Sequence, residues 1–133
     1  MQFDLDKIFG VNQQALRVHS RRSEVLAGNL ANADTPGFKA RDIDFRAALQ
    51  SALDEANGSA GTLQTTHSGH LQPAAPGVDA PKYRVPNHPS LDGNTVDTQL
   101  EQAAFAEVAV RYQASLDFIE DSVAGLRKAL RGE

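Results

Sequence analysis

The sequence contains no cysteine and no tryptophan, and its 133 residues include a single methionine. Without cysteine the chain cannot form disulfides or thiolate metal sites, so it must hold its structure without covalent cross-links. Aromatic residues are few, with six Phe and two Tyr, and much of the 41% apolar content is alanine, which buries little surface. These shortages argue against a thick core and favour a thin seam between helices.

Concentrated charge and long apolar runs are also missing. The net charge is −4 with acids and bases mixed along the chain, so no basic stripe is available for a nucleic acid. The first ten residues, M-Q-F-D-L-D-K-I-F-G, carry acids where a secretory signal needs a basic region. No apolar run is long enough to span a membrane. We therefore expect no nucleic-acid partner, no direct membrane insertion and no cleaved signal peptide.

Apolar residues at three- and four-residue spacing predict an N-terminal helix over residues 8–33. The stripe consists of Ile8, Val11, Ala15, Val18 and Val25. Arg22 interrupts it, which leaves two interpretations. Either its stem lies along the apolar surface with the guanidinium in solvent, or it pairs with an acid on a facing helix or a neighbouring subunit.

A seven-residue repeat predicts a second, C-terminal helix over residues 95–131, about 50 Å long at ~1.5 Å per residue. Thr98 and Glu101 have the spacing of a capping box near its start. Such a repeat is typical of a coiled-coil seam, and Ala109 falls on it as well. The candidate helix-packing and assembly residues are Phe105, Tyr112, Leu116, Ile119, Val123, Leu126 and Leu130.

The run from Leu26 to Phe45, L-A-G-N-L-A-N-A-D-T-P-G-F-K-A-R-D-I-D-F, predicts a shaped connector. Pro36 and Gly37 suit the central positions of a type II turn, where the second residue needs positive φ. Thr35 before the proline is pushed towards extended backbone. Two carboxamides are placed to bond the last carbonyls of the helix. The candidate connector residues are Asn29, Asn32, Thr35, Pro36, Gly37 and Phe38.

The rest of one domain spanning residues 1–133 divides into two parts. Residues 34–53 hold the connector, a short extended piece and a helix over residues 46–53 that begins at Asp44 or Phe45 and buries Leu49 and Leu53. Residues 54–94 are rich in proline and glycine and lack periodicity, which predicts a flexible loop, mobile over 56–85 or ordered by a partner.

No pattern indicates catalysis. His67 and His70 have a spacing that could hold a metal on a helix, but their setting is glycine-rich and no third ligand is evident. The acids Asp42 and Asp44 are expected to cap or repel, and the glycines lack phosphate-binding spacing. We expect no enzyme activity, metal, cofactor or small-molecule substrate.

The two apolar stripes allow two arrangements. Pairing within one chain would give an antiparallel coiled-coil hairpin in a mainly α fold. Pairing between chains would give a poorly folded monomer that assembles cooperatively. A hairpin whose outer face meets its neighbours combines the two.

The motif A-N-A-D-T-P-G-F, ending at Phe38, resembles the signature of the flagellar axial proteins of rod and hook. Its continuation K-A-R-D-I-D-F is similar to the proximal rod members. T-T-H-S-G-H-L, P-S-L-D-G-N-T-V-D and R-Y-Q-A-S-L extend the resemblance along nearly the whole chain.

This resemblance implies a structural subunit of the bacterial flagellum basal body rod, in the periplasmic space, exported by the flagellar type III apparatus. It implies partners among other rod proteins, the ring-junction protein and copies of itself, with roles in carrying torque and lining the export path. The alternative is a soluble coiled-coil adaptor or secretion chaperone, which would have no use for the connector.

Overall fold

The computed structural model describes residues 5–56, 80–88 and 90–132. It is mainly helical, with long helices near both ends, which confirms the predicted fold class. Both long helices lie close to their predicted bounds. In chain order the elements are α1 (Leu5–Ala31), β1 (Arg41–Asp42), α2 (Phe45–Ala56), β2 (Lys82–Tyr83) and α3 (Thr98–Arg131).

The two long helices pack against each other as an antiparallel hairpin. Near the end of α1, the Asn29 side chain contacts Glu101 in the first turn of α3. Asn29, Val18 and Ala15 are buried on α1, as are Glu101 and Val108 on α3. Because both members of the pair lie in one chain, the hairpin is the subunit's own framework.

The apolar core is thin, as the composition predicts. Its centre is Val18 of α1, Ile43 after β1 and Ala48 of α2, with Val25 and Phe45 packed against them. Alanine and valine bury little area per residue, so this core alone contributes modest stability. The short helix α2 thus lies on α1 and completes one side of the hairpin.

The helix ends differ in part from the predictions. Asp44 caps α2, accepting a hydrogen bond from Ala47 N at 3.2 Å. At the start of α3 the predicted capping box of Thr98 and Glu101 is wrong. The cap is Asp97, whose carboxylate accepts hydrogen bonds from the backbone N–H groups of Gln99 and Leu100. Glu101 is thereby free to point into the protein.

The short helix is also longer than predicted, and different residues lie underneath it. It extends to Ala56. Ala48 and Ala52 are its buried positions, whereas Leu49 and Leu53 are only half-buried. Small side chains face α1 because the two helices approach closely there.

The two strands form one antiparallel pair, with Arg41 opposite Tyr83 and Asp42 opposite Lys82. Arg84 N extends the pairing by donating to Ala40 O at 2.9 Å. Residues 82–84, within the stretch predicted to be mobile, therefore pair with the connector, which supplies backbone partners that periodicity could not reveal; the mobility itself stays a prediction. Ala56, the first residue of that stretch, ends α2, and residues 57–79, with His67 and His70, lie outside the described residues.

Candidate assembly surface

The connector forms the predicted turn. Gly37 has φ +73°, and Phe38 N donates to Thr35 O at 3.2 Å across Pro36. Asn32 caps the finishing helix as predicted, with Nδ2 donating to Gly28 O at 2.8 Å. Phe38 itself is half-buried. The chain is thus turned away from the axis of α1 by a defined geometry.

A second segment, residues 90–97, locks onto this turn. The buried Asn94 side chain donates through Nδ2 to three carbonyls of the connector, those of Asn32 at 3.0 Å, Ala33 at 2.7 Å and Thr35 at 3.0 Å. Gly37 N donates to Asp92 O at 2.9 Å. The connector and the approach to α3 are therefore one hydrogen-bonded unit.

Asn29 has a different role from the predicted helix cap. It is buried, and its carboxamide exchanges two hydrogen bonds with the backbone of Arg41, Nδ2 to O at 2.6 Å and N to Oδ1 at 3.1 Å. Nδ2 also donates to Glu101 Oε2 at 3.0 Å. One side chain of α1 therefore positions both β1 and α3.

Four charged residues complete this arrangement. The guanidinium of Arg22 donates to both carboxylate oxygens of Asp42, at 2.8 and 2.9 Å. Arg84 bridges Asp42 at 2.7 Å and Glu101 at 2.7 Å. Two cations and two anions balance, which suits a partly buried site. We call Arg22, Asn29, Asp42, Arg84 and Glu101 the polar junction.

Arg22 and Asp42 stabilise each other's charged form, since their contact raises the pKa of Arg22 and lowers that of Asp42. Burial works to raise the pKa of Asp42, but hydrogen bonds from Arg22 and Arg84 outweigh it and leave that pKa below its ordinary value. Arg22 therefore does pair with an acid, though the acid belongs to β1 and not to a facing helix or neighbour. Asp42 therefore neither caps a helix nor repels another acid, whereas Asp44 caps α2.

Most of the candidate packing residues of α3 lie beside the residues that are buried on that helix. The residues buried on α3 are Glu101, Val108 and Ser115. On the predicted repeat, Leu116, Ile119 and Leu126 are half-buried. The other four are exposed: Phe105 by 37%, Tyr112 by 37%, Val123 by 40% and Leu130 by 88%. We call these four the apolar flank of α3.

The exposed residues lie beside the buried line of α3. At about 100° per residue, Phe105, Tyr112 and Val123 lie some 20–40° from Glu101 on one side, and Ser115 lies some 40° on the other. In the single chain the Ser115 side is buried and the other side is left partly exposed. The apolar stripe is thus wider than the intrachain contact.

Sequence reasoning marked most residues of the polar junction but missed how they pair. Arg22 was marked by its place in an apolar stripe, Asn29 as a helix cap and Asp42 as an acid beside Asp44. Glu101 was noted only within the capping box, which is wrong, and Arg84 carried no signal beyond its charge. Asn94, outside the junction, stood within the recognised motif P-S-L-D-G-N-T-V-D. In the described residues there is no group of three or more His, Asp and Glu side chains that could hold a metal ion. None of the helices described is long and apolar enough to cross a membrane.

Comparison with known proteins identifies the family to which this sequence is similar. A family model described as "Flagella basal body rod protein" matches residues 11–39, which contain most of α1 and the connector turn. Flagellar basal body rod protein FlgB of Aeromonas hydrophila is 48% identical over 134 residues, covering 100% of this chain and 99% of that protein. The chain belongs to the FlgB family of flagellar basal body rod proteins.

Further members of the FlgB family agree over almost the same length. The FlgB proteins of Proteus mirabilis and Salmonella typhimurium are 43% and 42% identical, with 96% of this chain and 96% of each relative covered. The resemblance inferred from the connector motif is thereby confirmed. The match runs over nearly the whole chain, so it includes both long helices and the turn.

Proposed function

We propose that this chain is built into the flagellar rod through the apolar flank of α3. As a member of the FlgB family it is a structural subunit of the basal body rod. The observation that carries the proposal is the exposure of Phe105, Tyr112 and Val123 on a helix whose other side is already paired. Exposed apolar side chains in a row are typical of a contact surface.

Rod assembly needs contacts that repeat without closing on themselves. A flank on α3 that meets a different surface of the next subunit is such a heterologous contact. Its half-buried neighbours Leu116, Ile119 and Leu126 would become fully buried as the seam closes. Helix packing between subunits would then supply the stiffness that carries torque outward, and a tube of such helices would line the export path.

The connector has a supporting role in this proposal. Its turn at Pro36 and Gly37 and the clamp from Asn94 fix the end of α1 against the start of α3. A subunit that transmits torque must not deform at its ends. We assign Asn29, Asn32, Thr35, Pro36, Gly37 and Phe38 to holding that end rigid.

Neighbours and location follow from the rod assignment. The partners are other rod proteins, and within them we propose the ring-junction protein and further copies of this chain. The place is the flagellar basal body, and we propose its periplasmic part, reached through the flagellar type III apparatus without a cleaved signal peptide. No catalytic role is proposed. A soluble adaptor or secretion chaperone is not favoured, since the FlgB likeness covers the whole chain.

Deletion of the gene tests the role of structural subunit on which the proposal rests, and the Val123→Asp variant discussed below tests the flank itself. Deleted cells should fail to swim in soft agar, and their purified basal bodies should show rings without a rod. Restoring the intact gene should return both. Swimming deleted cells with complete rods would contradict the role of structural subunit and favour the adaptor.

A further inference from the structure

The inward face of α3 repeats every seven residues, with Glu101, Val108 and Ser115 in line, followed by the half-buried Ser122. On α1, Val18 and Leu26 are fully buried, whereas Val11 is 47% exposed. A slide of one heptad, about 10.5 Å at ~1.5 Å per residue, would bring Ser115 to the place that Val108 leaves and Ser122 to the place that Ser115 leaves. Because these side chains are similar in size, the line on α3 alone gives little preference between the two registers.

Polar contacts at the connector end do discriminate. Glu101 is 1% exposed, and its carboxylate is satisfied by Asn29 at 3.0 Å and Arg84 at 2.7 Å. A one-heptad slide would place Val108 against Asn29 and separate Glu101 from the amide. A buried carboxylate that loses a partner is strongly disfavoured.

Asn94 adds a second restraint on the same end. It lies shortly before α3, and its side chain donates to the carbonyls of Asn32, Ala33 and Thr35 just after α1. Since Asp97 caps α3 at a fixed distance from Asn94 along the chain, α3 cannot slide without breaking these bonds. We infer that Asn29, Asn94 and Glu101 determine the register of α1 against α3.

The register is a property of the single chain, so it can be measured without rod assembly. The chain has no native cysteine, and pairs of introduced cysteines can therefore carry spin labels at chosen sites only. Exposed sites near the connector end are Ala27→Cys with Ala103→Cys, and towards the other end Gln13→Cys with Ala124→Cys. Labelled full-length chain is diluted in an excess of unlabelled chain, so that distances within one molecule are recorded.

A duplicated heptad in α3 tests which end of the hairpin keeps its register, because both ends cannot keep it at once. A second copy of residues 102–108 is inserted directly after Val108, and distances are measured by pulsed electron paramagnetic resonance. We expect the 27–103 distance to stay as in the parent chain and the 13–124 distance to lengthen, because the added ~10.5 Å is pushed away from the connector. A lengthened 27–103 distance with an unchanged 13–124 distance would overturn the inference.

A second arm tests the three residues themselves. In the inserted chain, Asn29→Leu, Asn94→Ala and Glu101→Leu are combined, and the matched control is Glu107→Leu at an exposed position of α3. The combined variant should populate two distances for each label pair, one from each register. The control should keep a single distance for each pair. Circular dichroism measures the helix content of each variant. A combined variant that retains its helix and still shows only the unchanged 27–103 distance and the lengthened 13–124 distance would contradict the assignment.

Discussion

The polar junction and the apolar flank of α3 belong to the same hairpin, but the contacts of the junction are completed within the chain and those of the flank are not. In the junction each charged group has a partner within the chain, as in the bridge of Arg84 between Asp42 and Glu101. On the flank, Phe105, Tyr112 and Val123 have surface left uncovered. Contacts completed inside the chain fix the shape of the subunit, and contacts left open are available to the next one.

The two regions also differ in what their interactions contribute. A buried ion pair adds little net stability, but removing one partner is costly, so the junction is selective about geometry. The flank contributes only when covered, at about 25 cal/mol for each Å² of apolar surface removed from water. The junction therefore governs the monomer, and the flank governs assembly.

We expect Val123→Asp to separate the two regions most clearly, because it should affect rod assembly but hardly affect the stability of the single chain. In the free chain Val123 is 40% exposed, so the change should alter the free energy of unfolding by no more than about 0.5 kcal/mol, as for other surface sites. In the rod it would bury an unpaired charge at a cost of several kcal/mol, and we expect no rod and no swimming. Imaging of basal bodies, soft-agar motility and thermal unfolding of the isolated chain measure the three effects.

A control for this change lies on the same helix. Val110 is 70% exposed and lies about 140° around the axis from Val123. Val110→Asp adds the same charge away from the flank and should leave rods intact. Complete rods with Val123→Asp, or equal defects in both variants, would contradict the flank as the assembly surface.

The junction should respond in the opposite manner. Glu101→Ala leaves Arg84 with one partner and Asn29 without its carboxylate, and should lower the free energy of unfolding by about 3 kcal/mol. Chemical denaturation of the isolated chain measures this. Glu107 is the matched control, because it pairs with Arg111 in an exposed i,i+4 contact. Glu107→Ala should cost less than about 1 kcal/mol, and similar losses for the two would show that the junction is not special.

The connector turn should give a smaller effect on the monomer. Gly37 has φ +73°, and a Cβ atom there would meet no atom within 4 Å, so we expect Gly37→Val to cost about 2 kcal/mol, mainly from backbone strain. Gly28→Ala is the control, since that glycine lies within α1 with equal space and should gain up to about 1 kcal/mol. Thermal unfolding compares the two variants. A Gly37→Val chain with unchanged stability would contradict the claim that the turn requires glycine at this position.

These regions show which features the sequence reveals. The turn was predictable because proline and glycine have narrow backbone preferences, and the long helices because periodicity is a local signal. The pairing of Glu101 with Asn29 was not, because it joins residues 72 positions apart in the chain. The same holds for β2, whose partner strand is supplied by the connector. Side chains whose role is set by distant neighbours carry no local signature.

His19 is another residue whose role became visible only in the fold, and it offers the mildest test. It is buried in α1, its ring stacks on Phe45 at 4.3 Å, and Nδ1 has no hydrogen-bond partner. Burial, reinforced by the nearby positive charges of Arg111 and Arg22, holds the pKa of His19 below its ordinary value of 6.5. The folded chain therefore resists protonation that the unfolded chain accepts.

The pH dependence follows from that difference. As the pH falls from 7.5 through 6.5 the unfolded state gains a proton that the folded state does not, so the free energy of unfolding should decrease and level off once His19 is protonated in both states. Asp42, whose pKa is held below 3.8, acts only in a more acidic range. His19→Phe keeps an aromatic ring against Phe45 and should flatten the slope between pH 7.5 and 5. Denaturation midpoints at several pH values measure this slope, and an equal slope in both chains would show that the group titrating between pH 7.5 and 5 is not His19.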